Sequence, residues 1–363
     1  MSPKSTTTKS ISRLVQPAVR KLTAYHIVEE PVRVKLDAME NPFPLPPDVR
    51  RDVAEAIERT LINRYPDPSA KELKKAIADF WGLDAERMIL GNGSDELIQA
   101  VVLAFGGPVL IPVPTFAMYE ITSRALSQAV ATVPLRKDFS LDADLLIKKA
   151  KQVKAKVIFL ACPNNPTGNR FADDAVRKVL ESVNAAVVID EAYFDFSGKS
   201  FLPFLDRHPN MIVLRTLSKI GLAGLRVGML AAAPEVIEEL NKIRLPYNIN
   251  VLSQAAGIAV LKHRETLKAQ ISLLISERGR LYNALSRLQG ITPFPSETNF
   301  ILFRTNGSAT RIFTMLKQQG ILIKNLDRPG PLRNCLRVTV GAPEENNEFI
   351  GQMQGILATD SHG

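Results

Sequence analysis

The sequence predicts an α/β fold with two domains, a large one built on a mostly parallel sheet and a smaller α+β one. Its 363 residues exceed the ~100–200 that one domain usually takes. Hydrophobic residues make up 45% of the chain and charged residues 23%, which is the ordinary balance of a globular protein. From Pro66 to about Ala233 short apolar runs alternate with helical patterns, and beyond Pro246 the pattern changes.

Six apolar runs predict the strands of the large domain. Runs that are apolar at successive positions are buried on both faces, as in a parallel sheet covered by helices. The runs are Met88–Leu90, Val109–Pro112, Val157–Ala161, Ala185–Ile189, Ile212–Leu214 and Val227–Ala232. Between them, amphipathic stretches predict helices at Ser69–Phe80, Asp95–Ala104 and Asp173–Val183.

A long helix and three strand-like pieces predict the smaller domain. The helix extends roughly from His263 to Leu288, with Arg and Lys on one face and Leu and Ile on the other. The pieces are Asn299–Arg304, Ile321–Lys324 and Leu336–Val340, and we expect the segment around Val32–Leu36 to complete them. The predicted bounds are a flexible arm at 1–20, small-domain parts at 21–60 and 251–363, and a large domain at 61–250. We expect the active site between the domains, near the C-terminal ends of the parallel strands.

Charge and composition exclude several classes of protein. Lys and Arg outnumber Asp and Glu by 46 to 37, a balance that suits either nucleic acid or phosphorylated small molecules. Nucleic-acid motifs are absent and aromatic residues are only 6%, so we predict no nucleic-acid partner. The longest uncharged stretch of the chain is Leu97–Tyr119. Glycines and prolines interrupt it, so it predicts no membrane-spanning helix.

The cysteines and the N-terminal composition favour a cytoplasmic protein. Cys162 and Cys335 lie far apart, which predicts neither a disulfide framework nor a metal site and favours a reducing compartment. From Met1 to Val28 there is no acidic residue, whereas basic residues, Ser and Thr are frequent. This composition occurs in organelle transit peptides and in disordered arms, and we favour a disordered arm on a cytoplasmic protein.

The first polar motif, Gly91-Asn92-Gly93-Ser94-Asp95-Glu96, follows a predicted strand and opens a predicted helix. Glycines allow a tight turn, and the N–H groups at a helix start can hold a phosphate. The pattern also suits an ordinary connection in which Ser94 caps the helix, and the carboxylates of Asp95 and Glu96 would repel an anion. Alone, this motif leaves both interpretations open.

Two further predicted strands end in polar side chains. Cys162–Gly168 is either a simple turn or a loop that offers the Asn165 amide to a ligand oxygen. Asp190 follows the run Ala185–Ile189, and Tyr193 comes three residues later. Because an isolated buried carboxylate is costly, Asp190 either caps a helix, forms a salt bridge or pairs with a protonated ring nitrogen of a ligand.

The segment Thr216-Leu217-Ser218-Lys219, followed by Arg226, carries the most specific signal. A lysine amine attacks carbonyls only when it is deprotonated, and a nearby cation helps to lower its pKa. The hydroxyls of Thr216 and Ser218 and the Arg226 guanidinium suit a phosphate dianion. Lys219 alone also fits a solvated lysine. Taken together, the motifs match pyridoxal phosphate, which needs a Schiff-base lysine, an acid at its ring nitrogen, donors to its ring hydroxyl and a phosphate cup.

With these motifs the sequence resembles the fold-type I, aspartate-aminotransferase-like family of pyridoxal-phosphate enzymes, and within it the histidinol-phosphate aminotransferases. The likeness extends from about Tyr25 to Phe349. It implies that Lys219 forms the Schiff base and moves the proton. It also implies that Asp190 pairs with the ring nitrogen, while Tyr193 and Asn165 hold the ring oxygen.

The resemblance implies a stacking ring and a phosphate cup as well. Phe116, in Pro114-Thr115-Phe116, matches the aromatic residue that stacks on the cofactor. The family often has Tyr there, but stacking needs only the ring face. The cup would consist of Gly93, Ser94, Asp95 through its backbone, Thr216, Ser218 and Arg226.

Other positions match substrate-side and subunit contacts of the family. Tyr65 matches a tyrosine that reaches the cofactor phosphate of the neighbouring subunit, which implies a homodimer with shared active sites. Arg337 matches the arginine that binds the substrate's anionic group, and Lys324 stands where relatives often carry a second arginine. Tyr25 and Asn41 match further substrate-side positions.

The implied activity is transamination between L-histidinol phosphate and 2-oxoglutarate, which gives imidazole-acetol phosphate and L-glutamate in histidine biosynthesis. Threonine-phosphate decarboxylases share this fold and these motifs, and a broad aromatic or aspartate aminotransferase is a further alternative. A pyridoxal-phosphate-binding protein without catalysis, or a basic interaction module, is disfavoured by the intact set of Lys219, Asp190 and Arg226.

Overall fold

The computed structural model describes residues 11–24 and 31–360. The predicted arm is therefore described only from residue 11. The elements up to the third β-strand are α1 Pro17–Arg20, β1 Val34–Lys35, α2 Pro47–Glu58, α3 Lys71–Trp81, β2 Met88–Asn92, α4 Ser94–Phe105 and β3 Val109–Val113. The next are α5 Met118–Ala125, β4 Val130–Pro134, α6 Ala143–Val153, β5 Val157–Ala161, α7 Asp173–Ser182, β6 Ala186–Asp190 and α8 Phe194–Ser197.

The remaining elements complete the large sheet and build the C-terminal part. They are β7 Met211–Thr216, β8 Val227–Ala232, α9 Pro234–Ile243, α10 Val251–Leu261, α11 Arg264–Ser286, β9 Ile291–Pro293 and β10 Phe300–Thr305. After them come α12 Ala309–Gln318, β11 Ile321–Leu322, β12 Lys324–Asn325, β13 Cys335–Thr339 and α13 Pro343–Asp360. Short 3₁₀ turns lie at Leu217–Ile220 and Ala223–Leu225, directly after β7. No helix in these described ranges is long and apolar enough to cross a bilayer.

The large sheet has seven strands in the order β2-β8-β7-β6-β5-β3-β4. The pairs from β7 to β4 are parallel, whereas β8 lies antiparallel to both β2 and β7. The prediction of a mostly parallel sheet is confirmed, and all six predicted strands are present. Strand β4 was missed, because an edge strand is buried less: most of Val130–Pro134 is partly or fully exposed, and the run carries no continuous apolar signal.

Helices cover both faces of this sheet, which explains the continuously apolar strands. Along β5, Val157 and Phe159 belong to the core cluster on one face, while Ile158 and Leu160 belong to the cluster on the other. Successive side chains of a strand point to opposite faces, so each residue of a doubly covered strand meets a core.

The C-terminal part contains a four-stranded antiparallel sheet in the order β12-β13-β10-β9. The segment near Val32–Leu36 joins this part as predicted, because Val34 pairs in parallel with Ile321. The single predicted piece Ile321–Lys324 is wrong as one strand: β11 pairs with β1, whereas β12 pairs with β13. The predicted domain boundaries stay a prediction.

A buried ion pair fixes the ends of two central strands. Glu191 directly follows β6, and Arg215 precedes the last residue of β7. Arg215 donates from Nε and Nη2 to Glu191 Oε2 over 3.0 and 2.9 Å, with both side chains almost fully buried. A buried pair of this kind holds its two elements in one register, because separating the charges would leave each of them unpaired in the interior.

Candidate active site

A cavity of about 230 Å³ lies at the C-terminal ends of the parallel strands. Ten of the residues predicted from the sequence line it: Ser94, Asp95, Phe116, Asn165, Asp190, Tyr193, Thr216, Ser218, Lys219 and Arg226. These residues come from five separate stretches of the chain. They meet because parallel strands end at one edge of a sheet, where the loops that follow them converge.

The turn between β2 and α4 brings a helix start to the cavity. The residue that precedes the helix is Gly93, at φ +79°, and no side-chain hydrogen bond caps the helix there. The alternative in which Ser94 is the N-cap is therefore wrong. A Cβ at Gly93 would lie 2.7 Å from Arg226 Nη2, and one at Gly228 would lie 2.6 Å from the Ser94 nitrogen. Glycine at both positions lets the turn approach β8 and the Arg226 guanidinium.

Two hydroxyls and one guanidinium complete this end of the cavity. Thr216 Oγ1 lies 3.0 Å from Ser218 Oγ, and Arg226 Nη1 lies 3.5 Å from the same Ser218 oxygen. The carboxylate of Asp95 stands 3.6 Å from Arg226 Nη2. The cluster offers several donors to one small anion, while the Asp95 side chain reduces its positive charge.

Asp190 is the last residue of β6 and is 4% exposed. Its Oδ2 accepts a hydrogen bond from the Tyr119 hydroxyl over 2.7 Å, and its Oδ1 accepts one from the Ala192 N–H over 3.0 Å. Among the described residues no cationic side chain forms an ion pair with it. Burial raises the pKa of this carboxyl to about 6, although both hydrogen bonds oppose the shift. Such an acid suits a cationic ligand group.

Lys219 lies in the 3₁₀ turn after β7 and faces the cavity. Burial lowers the pKa of its amine to about 8, and the Arg337 and Arg226 cations act in the same direction. The carboxylates of Glu40 and Asp95 partly offset the shift. About a tenth of this amine is therefore neutral and nucleophilic at pH 7.

This pKa predicts how Lys219 reacts with a small acylating reagent. The rate of its modification by acetic anhydride is expected to rise with pH and to reach half its maximum near pH 8. The exposed Lys242 serves as an internal reference, because the Glu239 carboxylate holds its pKa above the usual range. The protein is first freed of any bound cofactor so that the Lys219 amine is free, and mass spectrometry of the two peptides between pH 6 and 11 then measures both profiles. A Lys219 midpoint near that of Lys242 would contradict the assignment.

Arg337 on β13 contacts Asn165, which lines the cavity. It is 6% exposed, its Nη1 donates to Asn165 Oδ1, and its Nη2 donates to the Asp37 carbonyl over 2.9 Å. The guanidinium also stands 5.1 Å from the centre of the Phe300 ring. A cation that already contacts the Asn165 side chain is well placed to meet an anionic group of a ligand.

Three further predicted residues, Lys324, Asn41 and Tyr65, do not line this cavity. Lys324 pairs with Arg337 in the β12–β13 ladder, and Asn41 donates to Gln270 Oε1 over 3.0 Å beside the Lys219 loop. Tyr65 is 81% exposed and stacks on Tyr247 with ring centres 4.6 Å apart. Tyr25 lies outside the described residues.

Sequence reasoning missed two polar residues that line the cavity, Tyr119 and Glu40. Tyr119 follows Phe116 by three residues, so the two rings fall on one side of a helical turn, and this spacing was a usable signal. Glu40 comes from the segment after β1 and carried no recognisable pattern. Its place in the cavity wall depends on how that segment packs.

The comparisons with known proteins agree with this fold. Residues 32–352 match the aminotransferase class I and II family. The chain therefore belongs to the aminotransferase class I and II family.

Several named proteins are similar to this chain in sequence or in structure. The chain is 44% identical to histidinol-phosphate aminotransferase 2 of Nitrosococcus oceani over 346 aligned residues. The alignment covers 94% of this chain and 96% of that protein. It is 39% identical to histidinol-phosphate aminotransferase of Aquifex aeolicus over 345 aligned residues, which are 94% of this chain and 97% of that protein. The crystal structure of histidinol-phosphate aminotransferase from Sinorhizobium meliloti in complex with pyridoxal-5'-phosphate superimposes with a TM-score of 0.84 at 24% identity, over 94% of this chain and 97% of that one. That likeness shows the shared fold.

Proposed function

We propose that this chain is a pyridoxal-phosphate-dependent transaminase that acts in the cytoplasm in L-histidine biosynthesis. It interconverts L-histidinol phosphate and 2-oxoglutarate with imidazole-acetol phosphate and L-glutamate. The observation that carries the proposal is that Lys219, Asp190 and the cluster of Thr216, Ser218 and Arg226 line one cavity. The curated relatives that share about two fifths of the sequence support the choice of substrate.

The cavity residues fit the chemistry of pyridoxal phosphate. The glycine turn, the helix start and the cluster of Thr216, Ser218 and Arg226 would hold the phosphate. Asp190 would accept the protonated ring nitrogen, and Phe116 would stack on the ring. Asn165 and Tyr193, which line the same cavity, would hold the ring oxygen as the resemblance implies. The lowered pKa of Lys219 suits an amine that attacks the aldehyde.

The chain's own residues divide the work of transamination. When bound, pyridoxal phosphate supplies an electron sink for the electron pair left as the substrate loses its Cα proton. Lys219, whose pKa is near 8, would take that proton and return it to the former aldehyde carbon of the cofactor, on the other side of the substrate nitrogen. Asp190, which is buried, would keep the ring nitrogen protonated through an ion pair, and that positive charge would attract the electron pair.

Arg337 would bind the anionic end of both substrates. Glutamate presents a carboxylate and histidinol phosphate presents a phosphate, and a guanidinium holds either through two parallel hydrogen bonds. The contacts of Arg337 with Asn165 and Asp37 keep its fork fixed beside the cavity. Lys324, its ladder neighbour, would add a second positive charge.

We also propose a homodimer with shared active sites. Leu61, Ile62, Tyr65 and Leu245 are exposed by 66%, 73%, 81% and 68%, and Tyr65 stacks on Tyr247. Exposed apolar side chains clustered in this way are typical of a protein–protein interface. A two-fold contact there would cover them and would let Tyr65 reach the phosphate in the partner's cavity.

Subunit mixing tests this shared site. Tyr65→Ala and Lys219→Ala proteins are each expected to have low activity, but their 1:1 mixture should regain activity after dissociation and reassociation. In the mixed dimer one cavity combines an intact Lys219 with an intact Tyr65, so about a quarter of all sites become complete. Steady-state transamination rates measure the gain.

The matched control replaces the Lys219→Ala partner with a protein that carries both substitutions. That mixture contains no complete site and should gain nothing. If Tyr65→Ala protein has wild-type activity, or if both mixtures behave alike, then Tyr65 does not act in the neighbouring site.

The visible spectrum of the pyridoxal-phosphate-loaded protein tests the proposed reaction. L-histidinol phosphate is expected to bleach the visible band, and 2-oxoglutarate is expected to restore it. L-threonine phosphate is expected to release no carbon dioxide. If only threonine phosphate reacts, with carbon dioxide released, the protein is a decarboxylase and the proposed transamination is wrong. Protein that takes up no cofactor would contradict the whole assignment.

A further inference from the structure

Tyr119 shares the cavity wall with Asp190 and was not among the residues identified from the sequence. Its hydroxyl donates to Asp190 Oδ2 over 2.7 Å, and its side chain is 0% exposed. Its ring lies parallel to Phe159, with centres 4.6 Å apart and an angle of 6° between the planes, and edge-on to Phe116 at 5.5 Å. Because the ring is held by both neighbours, the hydroxyl oxygen stays within hydrogen-bond distance of Asp190.

We propose that Tyr119 is a positioning residue that keeps the Asp190 carboxylate ionised and turned toward the ring nitrogen of the cofactor. The inference rests on the proposed function, because it assumes that a cationic ring nitrogen binds at Asp190. Oδ2 takes the Tyr119 hydrogen bond and Oδ1 takes that of Ala192. A carboxylate has about four acceptor positions, so both oxygens keep room for the ligand.

The charges around Asp190 show why a donor is needed there. Burial opposes ionisation most strongly, and the Asp95 carboxylate on α4 adds to it. The stabilising groups are the Tyr119 hydroxyl on α5, the Ala192 N–H and the Lys219 amine. Burial and the negative charge of Asp190 also hold the pKa of Tyr119 well above its usual range, so the phenol keeps its proton and remains a donor at neutral pH.

Removing this hydroxyl is therefore expected to raise the pKa of Asp190. A charge-assisted hydrogen bond in the interior is one of the stronger kinds, and the phenylalanine ring would keep the packing on Phe159. The Asp190 carboxyl would then carry a proton at a higher pH. A neutral carboxyl cannot form the ion pair with a protonated ring nitrogen, so binding of the ring weakens as the pH falls.

The test titrates two probes into full-length protein freed of cofactor. Pyridoxine 5'-phosphate carries the ring nitrogen and the phosphate but no aldehyde, so it does not react with Lys219. Inorganic phosphate engages only the anion-binding end of the cavity. Isothermal titration calorimetry at pH 6, 7 and 8 compares the wild type, Tyr119→Phe and, as a matched control, Tyr282→Phe, which removes a hydroxyl on α11 that does not line the cavity.

For Tyr119→Phe, the ratio of its dissociation constant for pyridoxine 5'-phosphate to that of the wild type is expected to rise as the pH falls. The ratio should be close to one at pH 8 and about fivefold at pH 6, since raising the Asp190 pKa by one unit from about 6 lowers its ionised fraction at pH 6 from about one half to about one tenth. Inorganic phosphate binding and the Tyr282→Phe protein should match the wild type. A ratio that does not change with pH, or an equal loss for both probes, overturns the inference and leaves the proposed function intact. Wild-type protein that binds neither probe overturns both.

Discussion

Replacing Lys219 with alanine is expected to lower the rate of transamination by about 10⁴-fold, the upper end of what a positioned acid–base group contributes. Lys219 is the amine that faces the cavity with a pKa of about 8, and in the proposed reaction it is both the nucleophile and the group that moves the proton. Alanine removes both roles. Single-turnover measurements with L-histidinol phosphate, followed by visible absorbance, give the rate.

Thermal stability and a control variant distinguish the loss of catalysis from unfolding. Burial lowers the pKa of the Lys219 amine, which means that the charged form is unfavourable in the fold, so Lys219→Ala is not expected to reduce the thermal stability of the protein. Lys268→Ala is the matched control, because that lysine is half exposed and pairs with Glu265 on α11. If Lys219→Ala retained more than a hundredth of the wild-type rate, another base would have to move the proton.

Replacing Asp190 with asparagine is the second large change. We expect turnover to fall by about 10²–10³-fold, as when one preorganised electrostatic group is removed from an active site. Asparagine keeps the shape of the side chain and an oxygen for the Tyr119 hydroxyl, but it lacks the charge that keeps the ring nitrogen protonated. Cofactor affinity should fall less, by about tenfold, because the phosphate end of the cavity is unchanged. Steady-state rates and cofactor titration measure the two effects separately.

Asp195 supplies the matched control for this substitution. It is also a carboxyl, partly buried, whose pKa is raised by burial, and it accepts a hydrogen bond from the Trp81 indole, but it does not line the cavity. Asp195→Asn should therefore leave turnover near that of the wild type. Near-normal turnover in Asp190→Asn would show that the proposed role of Asp190 is wrong, and equal losses in the two variants would indicate a structural effect.

Much of the fold and ten of the cavity residues could be predicted from the sequence. The six continuously apolar runs predicted strands covered on both faces, and each is a strand of the seven-stranded sheet. The motifs at Asp190, at Asn165 and at Thr216–Lys219 follow successive parallel strands. Because such strands end at one sheet edge, local patterns were enough to predict that these side chains share a site.

The tertiary structure alone decided the contacts between distant parts of the chain. Tyr119 and Asp190 are 71 positions apart, and Arg337 and Asn165 are 172 apart. No local pattern encodes such pairs, since they depend on how whole elements pack. Packing also divided the predicted piece Ile321–Lys324 between two sheets and set how deeply each charge is buried. Desolvation of Lys219 and Asp190 shifts their pKa values toward neutrality, so the sequence determined which reactive groups are present and the packing determined their protonation.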